Sequence, residues 1–264
     1  IDNFLDQIPW ALTYTFNFFH ASAFFAHTPL LTHFWSLAVE EQFYLIWPFA
    51  VFLINKKNFK TFLLIVIGTG PIFRYLIAYM VESNYSVYIL TAKDIVVTVL
   101  PFSHLDAFAI GGYFALYRKS TKPVYIWAYA FVLIAFGMFT SWKSLGDINL
   151  YSFGYRSFMI DSYKYIWGYS AFNILFAFTL SNLKDHRFLP VIFENRWLDY
   201  LGKISYGLYV YHFPAIYVTI SVFDFLPKLI QVPIALVVTI FISVISYEYF
   251  EKRFLSMKDR FFPR

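Results

Sequence analysis

The sequence predicts an all-α fold: a polytopic transmembrane helix bundle of about seven full spans plus a partial one at the N-terminus. Three observations predict it. Of 264 residues, 59% are hydrophobic and 14% charged, against about 45–50% and about 25% in soluble domains. A soluble fold of this length has too much surface to carry so little charge. Apolar runs also recur at the roughly 20-residue length needed to cross a bilayer. Between them, basic loops alternate with loops poor in Lys and Arg.

In chain order the full spans are expected at about 39–54, 61–81, 102–117, 123–142, 165–182, 204–222 and 229–250. Residues 8–25 are aromatic and uncharged, and read as the end of a further span or as an interfacial segment. One set of loops and the C-terminal end hold fifteen basic residues, from Lys56 to Arg264; the other set holds five, namely Lys93, Lys143, Arg156, Lys164 and Lys228. By the positive-inside rule the first set is cytoplasmic. That places the C-terminus and the basic tail 252–264 in the cytoplasm, and segments 20–37, 82–101 and 143–164 outside. Residues 184–203 carry both charge signs with Trp197 and Tyr200, the pattern of an interfacial helix. The whole of 1–264 reads as one membrane domain of a cytoplasmic (inner) membrane, with the lipid bilayer as its first partner.

Several classes drop out. There is no Cys, which removes disulfides, thiolate metal sites and Cys nucleophiles. His20, His27, His33 and His186 lack HxxH or HExxH spacing, so no metal is expected. No phosphate-binding or dinucleotide-binding glycine loop is present. The net charge of +5 reflects cytoplasmic loops rather than nucleic-acid binding.

Ionisable groups inside spans are costly and are usually retained for function. Here they are Glu40, Glu41, Arg74, His104, Asp106, His212 and Glu248. All but His212, near mid-span, and Glu248, near the cytoplasmic end, lie towards the outer ends of their spans. An outward-facing polar cavity is therefore expected. In HFWSLAVEEQFYLIWP, residues 33–48, Glu40, Phe43, Tyr44 and Trp47 share a helix face. A carboxylate in that stripe suits a general base or a cation partner. It equally suits an acid in a first helical turn, with Ser36 as the N-cap. In FSHLDAFAIGGYFALY, residues 102–117, Ala107, Gly111 and Ala115 form a stripe suited to close helix approach. Asp106 there suits either a bond to Arg74 or a direct chemical role. In LGKISYGLYVYHFPAI, residues 201–216, Ser205, Tyr209 and His212 follow helical spacing. Pro214 has no N–H and frees the carbonyl of Val210.

The three stretches resemble, in order and spacing, the signatures of the acyltransferase family 3 membrane proteins, the O-acetylase type. WSLAVEEQFYLIWP is similar to W-S-L-x-V-E-x-Q-F-Y-L-x-x-P, through Trp35, Ser36, Glu40, Gln42, Tyr44 and Pro48. HLDAFAIGG is similar to R-L-D-A-F-A-L-G, with His104 in the place of Arg. LGKISYGLYVYHFP is similar to L-G-x-I-S-Y-S-L-Y-L-W-H-x-P, through Ser205, Tyr209, His212 and Pro214. SYEYFEKRF resembles the last-helix segment with its Glu, here Glu251, and Arg253 stands where Pro is common.

The resemblance implies transfer of an acyl group, usually acetyl from acyl-CoA, to a hydroxyl of a glycan or small acceptor. Acyl-CoA (acetyl-CoA) is then a donor substrate. Glu40 and His212 are the candidate catalytic residues, at the acceptor end. Arg74, His104, Asp106, Tyr44, Ser205 and Tyr209 are candidate substrate-binding residues. Relatives of this type usually have ten spans, with a His in the first that is regarded as the catalytic base. The chain is therefore expected to lack the first two to three helices and that base. A transporter or flippase, or an inactive truncated homologue, are the competing readings. Neither the acceptor nor the oligomeric state follows from the sequence.

Overall fold

The computed structural model describes residues 3–83, 92–117, 122–148, 150–159, 161–183 and 195–261. Among them all regular elements are helical. The helices are α1 (Phe4–Leu12), α2 (Phe16–Ala21), α3 (Phe34–Leu53), α4 (Lys56–Glu82), α5 (Lys93–Val99), α6 (Leu105–Tyr117), α7 (Pro123–Leu145), α8 (Lys164–Asn182), α9 (Arg196–Lys203), α10 (Ser205–Val222), α11 (Lys228–Ser246) and α12 (Lys252–Phe261). A 3-10 turn, Pro101–His104, precedes α6, and a π-helical turn, Tyr247–Glu251, joins α11 to α12.

Each expected full span coincides with a helix. By length and composition, three described helices can cross a membrane: Lys56–Glu82, Pro123–Leu145 and Lys228–Met257. The pair Lys93–Val99 and Pro101–Tyr117, bent by 64°, makes a fourth if the two helices form one span. The protein is thus a helical membrane protein. The other helices are shorter or diluted by Tyr, Trp and the Glu40-Glu41-Gln42 run, which lowers their apolar character below that of an aliphatic span.

Several local expectations change. Residues 8–25 contain the end of α1, a turn and the six-residue α2 rather than one continuous span end. The turn is built by Tyr14 at φ 53, a bond from the Thr15 N–H to the Trp10 carbonyl at 3.0 Å, and a 2.7 Å contact between the Thr13 and Thr15 hydroxyls. α3 begins at Phe34, so Ser36 lies inside the helix rather than capping it. Its first turn contains no acid. The dipole account of Glu40 therefore loses its basis, because that effect fades beyond the first turn. The segment 82–101, read as a loop, contains α5, with Val96, Val97 and Val99 buried. Pro101 ends it, holding Leu100 extended at ψ 138. Within the segment expected to be an interfacial helix, residues 196–203 form α9, capped by the Asn195 side chain, which accepts from the Trp197 N–H at 2.8 Å. Residues 184–194 of that expectation, and Arg118, Lys119, Arg264 and His186, lie outside the described residues.

The chain divides into two compact units. One contains Ile1–Pro9, His27–Phe34 and Phe188–Arg264. Within it α10 and α11 pack through small residues. The buried face of α11 is Gln231, Ala235, Thr239 and Ser243 at i, i+4 spacing. A Cβ at Gly207 of α10 would stand 3.2 Å from the Ser243 Cα. Gln231 closes the turn between these helices by donating to the Phe223 and Leu226 carbonyls at 2.8 and 3.0 Å.

The other unit contains Trp10–Ala26 and Trp35–Arg187. Its core joins α4, α6 and α8. Asn55 caps α4 by accepting from the Lys57 N–H at 3.0 Å, and Gly146 ends α7 in the left-handed conformation at φ 70. The small-residue stripe of α6 does not mediate its close packing, since a Cβ at Gly111 would meet nothing. The close approach is made by Gly70 of α4 instead: a Cβ there would lie 2.4 Å from the Asp106 Cγ. Beyond α7, Gly154 presses on the backbone of Gly137, and Lys164 is buried, donating to the Gly154 carbonyl at 2.6 Å and to the Asp161 carboxylate.

Candidate functional site

The two units bring the expected polar residues into three groups. The first is in the larger-chain unit that holds α3 to α8. Arg74, one turn after Gly70, and Asp106, in the first turn of α6, are both fully buried. Their planar groups meet in two parallel bonds, Nη1 to Oδ1 at 3.0 Å and Nη2 to Oδ2 at 2.9 Å. Arg74 also donates from Nε to the Ile166 carbonyl at 3.0 Å, from Nη1 to the Ser103 carbonyl at 2.5 Å and from Nη2 to the Ser170 hydroxyl at 2.5 Å. A guanidinium has five N–H donors, and these five bonds use them all. Ser170 in turn donates to the Asp106 carboxylate, which also accepts from the Ala107 N–H at 3.0 Å. Buried, bidentate and fully hydrogen-bonded, the pair ties α4, α6 and α8 together. His104 stands outside it. Its Nε2 donates to the Thr98 carbonyl at 2.7 Å, and its ring lies 6.1 Å from that of Trp35. The cation beside Asp106 is therefore Arg74, from another helix, rather than the residue two places before it.

The second group lines α3. The Tyr44 hydroxyl donates to Glu40 Oε1 at 2.6 Å, one turn away on an exposed face. Tyr44 also borders an apolar cavity of about 750 Å³, whose wall includes Glu41, Phe43, Trp47, Phe102 and Phe108. Phe43 and Phe108 stack with ring centroids 3.7 Å apart. Gln42 fastens one rim: its amide donates to the Tyr14 carbonyl at 2.6 Å and exchanges bonds of 2.9 and 3.2 Å with Asn17.

The third group is on α10. His212 is half-buried, and its Nδ1 lies 2.5 Å from the Tyr209 carbonyl. A carbonyl can only accept, so Nδ1 is the donor in this bond and Nε2 takes no part in it. Tyr209 donates its own hydroxyl to the His33 carbonyl at 2.9 Å. Ser205 is exposed at the start of the helix. His33, set aside for lack of metal spacing, is the residue that sequence reasoning missed. It is only 6% exposed, and its ring lies 4.7 Å from that of His212. Burial first, and the neighbouring His212 imidazole second, lower its pKa to about 4. The HxWSL spacing and the freed Val210 carbonyl were the available signals. Among the described residues no three His, Asp or Glu side chains gather as a metal site would require.

The chain matches the model of a protein family described as "Acyltransferase domain" over residues 3–248. It is 31% identical over 235 residues to the peptidoglycan O-acetyltransferase OatA of Listeria monocytogenes, covering 84% of this chain and 34% of that protein. The chain thus spans about a third of the length of that relative. No solved structure matches it. The chain belongs to the acyltransferase domain family.

Proposed function

We propose that this member of the acyltransferase domain family transfers an acetyl group from acetyl-CoA to a hydroxyl of a cell-surface glycan, peptidoglycan being the first acceptor to test. The family match and the likeness to a peptidoglycan O-acetyltransferase support the reaction class. The observation that carries the chemistry is the bond from His212 Nδ1–H to the Tyr209 carbonyl. It orients the imidazole so that Nε2, in the neutral form of the ring, can take a proton from an acceptor hydroxyl. The hydroxyl oxygen then bonds to the acyl carbon, the carbon–sulfur bond breaks, and the thiol leaves with a proton. Glu40, oriented by Tyr44, is the second catalytic candidate. The aromatic wall beside Tyr44 suits the apolar face of a sugar or acyl group. Ser205 is a candidate hydroxyl contact. Arg74, Asp106 and His104 serve their own unit by holding α4, α5, α6 and α8 in place.

The reading also includes seven spans in a cytoplasmic (inner) membrane, with the C-terminus in the cytoplasm, which the loop charges support. The test is transfer of labelled acetyl from acetyl-CoA in membranes from cells expressing the complete gene. Label in peptidoglycan that is lost in His212→Gln supports the proposal. Transfer unchanged by that substitution refutes the role of His212, and no label in any envelope fraction refutes the activity.

A further inference from the structure

Pro214 has no N–H, so the Val210 carbonyl of α10 lacks its partner one turn on. The His33 ring occupies that place, with Nε2 at 3.3 Å from the Val210 oxygen. Because the carbonyl accepts, Nε2 carries the His33 proton. Nδ1 then holds a lone pair, and it is buried with no hydrogen-bond partner among the described residues. The Tyr209 hydroxyl returns a bond to the His33 backbone carbonyl at 2.9 Å. The His33 ring stacks on Phe213 at 4.6 Å and 14°, and meets His212 edge-on at 4.7 Å and 65°. Segment 27–34 is thereby latched to the turn of α10 before Pro214 by two hydrogen bonds and a ring stack.

Two adjacent carbonyls matter at this turn. That of Tyr209 orients His212, and that of Val210 is tethered by His33. They belong to consecutive peptide groups of one hydrogen-bonded helix, so displacing one shifts the other. We propose that His33 is a positioning residue for His212. By taking the carbonyl that Pro214 releases, it fixes this turn of α10 in the arrangement that keeps the Tyr209 carbonyl on His212 Nδ1. This rests on the reading of His212 as the proton acceptor. His33 supplies two separable things, a donor to Val210 and a ring against Phe213 and His212.

The test separates them in the complete protein. His33→Phe keeps a ring and loses the donor, whereas His33→Gln keeps a donor. Pro214→Ala restores an N–H within the helix and competes for the same carbonyl. We expect His33→Phe to lower kcat about tenfold or more at unchanged acceptor KM, and His33→Gln to stay within roughly threefold of wild type. The double variant His33→Phe/Pro214→Ala should be no worse than Pro214→Ala alone, in kcat and in thermal melting of the detergent-solubilised protein. Additive effects in melting overturn the latch. Coupling in melting with an unaltered kcat in His33→Phe overturns the positioning role and leaves the latch. Loss of transfer in His33→Phe and equal loss in His33→Gln overturns the assignment to the donor. His212→Gln, assayed alongside, shows separately whether the reading of His212 itself fails.

Discussion

Arg74 and Asp106 face each other from α4 and α6 with neither side chain exposed, and all five guanidinium N–H groups donate within the protein. Such a pair is expensive to break and cheap to replace as a unit. Removing one partner leaves the other charged, buried and unpaired, at a cost of about 3–5 kcal/mol. Arg74→Met or Asp106→Leu should therefore sharply lower the melting temperature in detergent. Arg74→Met/Asp106→Leu should recover much of the loss. A double variant as damaged as the sum of the singles would show that the pair is not a unit.

Gly70 makes that pairing sterically possible. A Cβ there would sit 2.4 Å from the Asp106 Cγ, whereas one at Gly111 would meet nothing. Gly70→Ala should push α4 from α6 and cost about 1–3 kcal/mol or more. Gly111→Ala should leave the melting temperature nearly unchanged. Equal behaviour of the two would contradict the described contact between α4 and α6.

Glu40 and Tyr44 offer a graded test of the α3 group. Glu40→Gln should reduce acetyl transfer by roughly a hundredfold if the carboxylate works in the reaction. Tyr44→Phe removes only the 2.6 Å hydrogen bond and should reduce it by about tenfold, since a bond to a charged group is worth about 1.5–3 kcal/mol. Labelled-acetyl assays at saturating donor measure both. Because the pair is exposed, neither change should alter expression or melting.

His33 predicts a pH dependence. Its pKa falls from 6.5 to about 4 in the folded protein, chiefly through burial and next through the His212 imidazole. The unfolded chain therefore takes up the proton first as pH drops. The stability tied to neutral His33 is complete above about pH 6.5 and is lost as pH falls towards about 4. Wild type should lose melting temperature across that window, and His33→Gln should lose less. Parallel curves would remove His33 as the cause.

Much of the architecture was legible in the chain. The helices at 56–82, 123–145 and 228–246 follow from apolar run length, and Asn55, Pro123 and Gly146 mark ends by local chemistry. Tyr44 beside Glu40 follows from helical spacing. The start of α3, the helix at 93–99 and the break near Thr13 were not legible. In each, a short segment takes its form from neighbours: α5, for example, is set by burial of Val96 and Val97. The small-residue stripe at Gly111 misled because small size permits close approach without requiring it.

The sequence by itself determined the solvent of this protein, its helical repertoire and its family. Hydropathy, caps and motif spacing are local properties, written within a few turns of chain. Only the tertiary structure decided which polar groups meet. Arg74 reaches Asp106 across 32 residues, and His33 reaches Val210 across 177. Those choices depend on which helices approach closely enough, and on which buried donors and acceptors would otherwise stay unpaired where water cannot satisfy them.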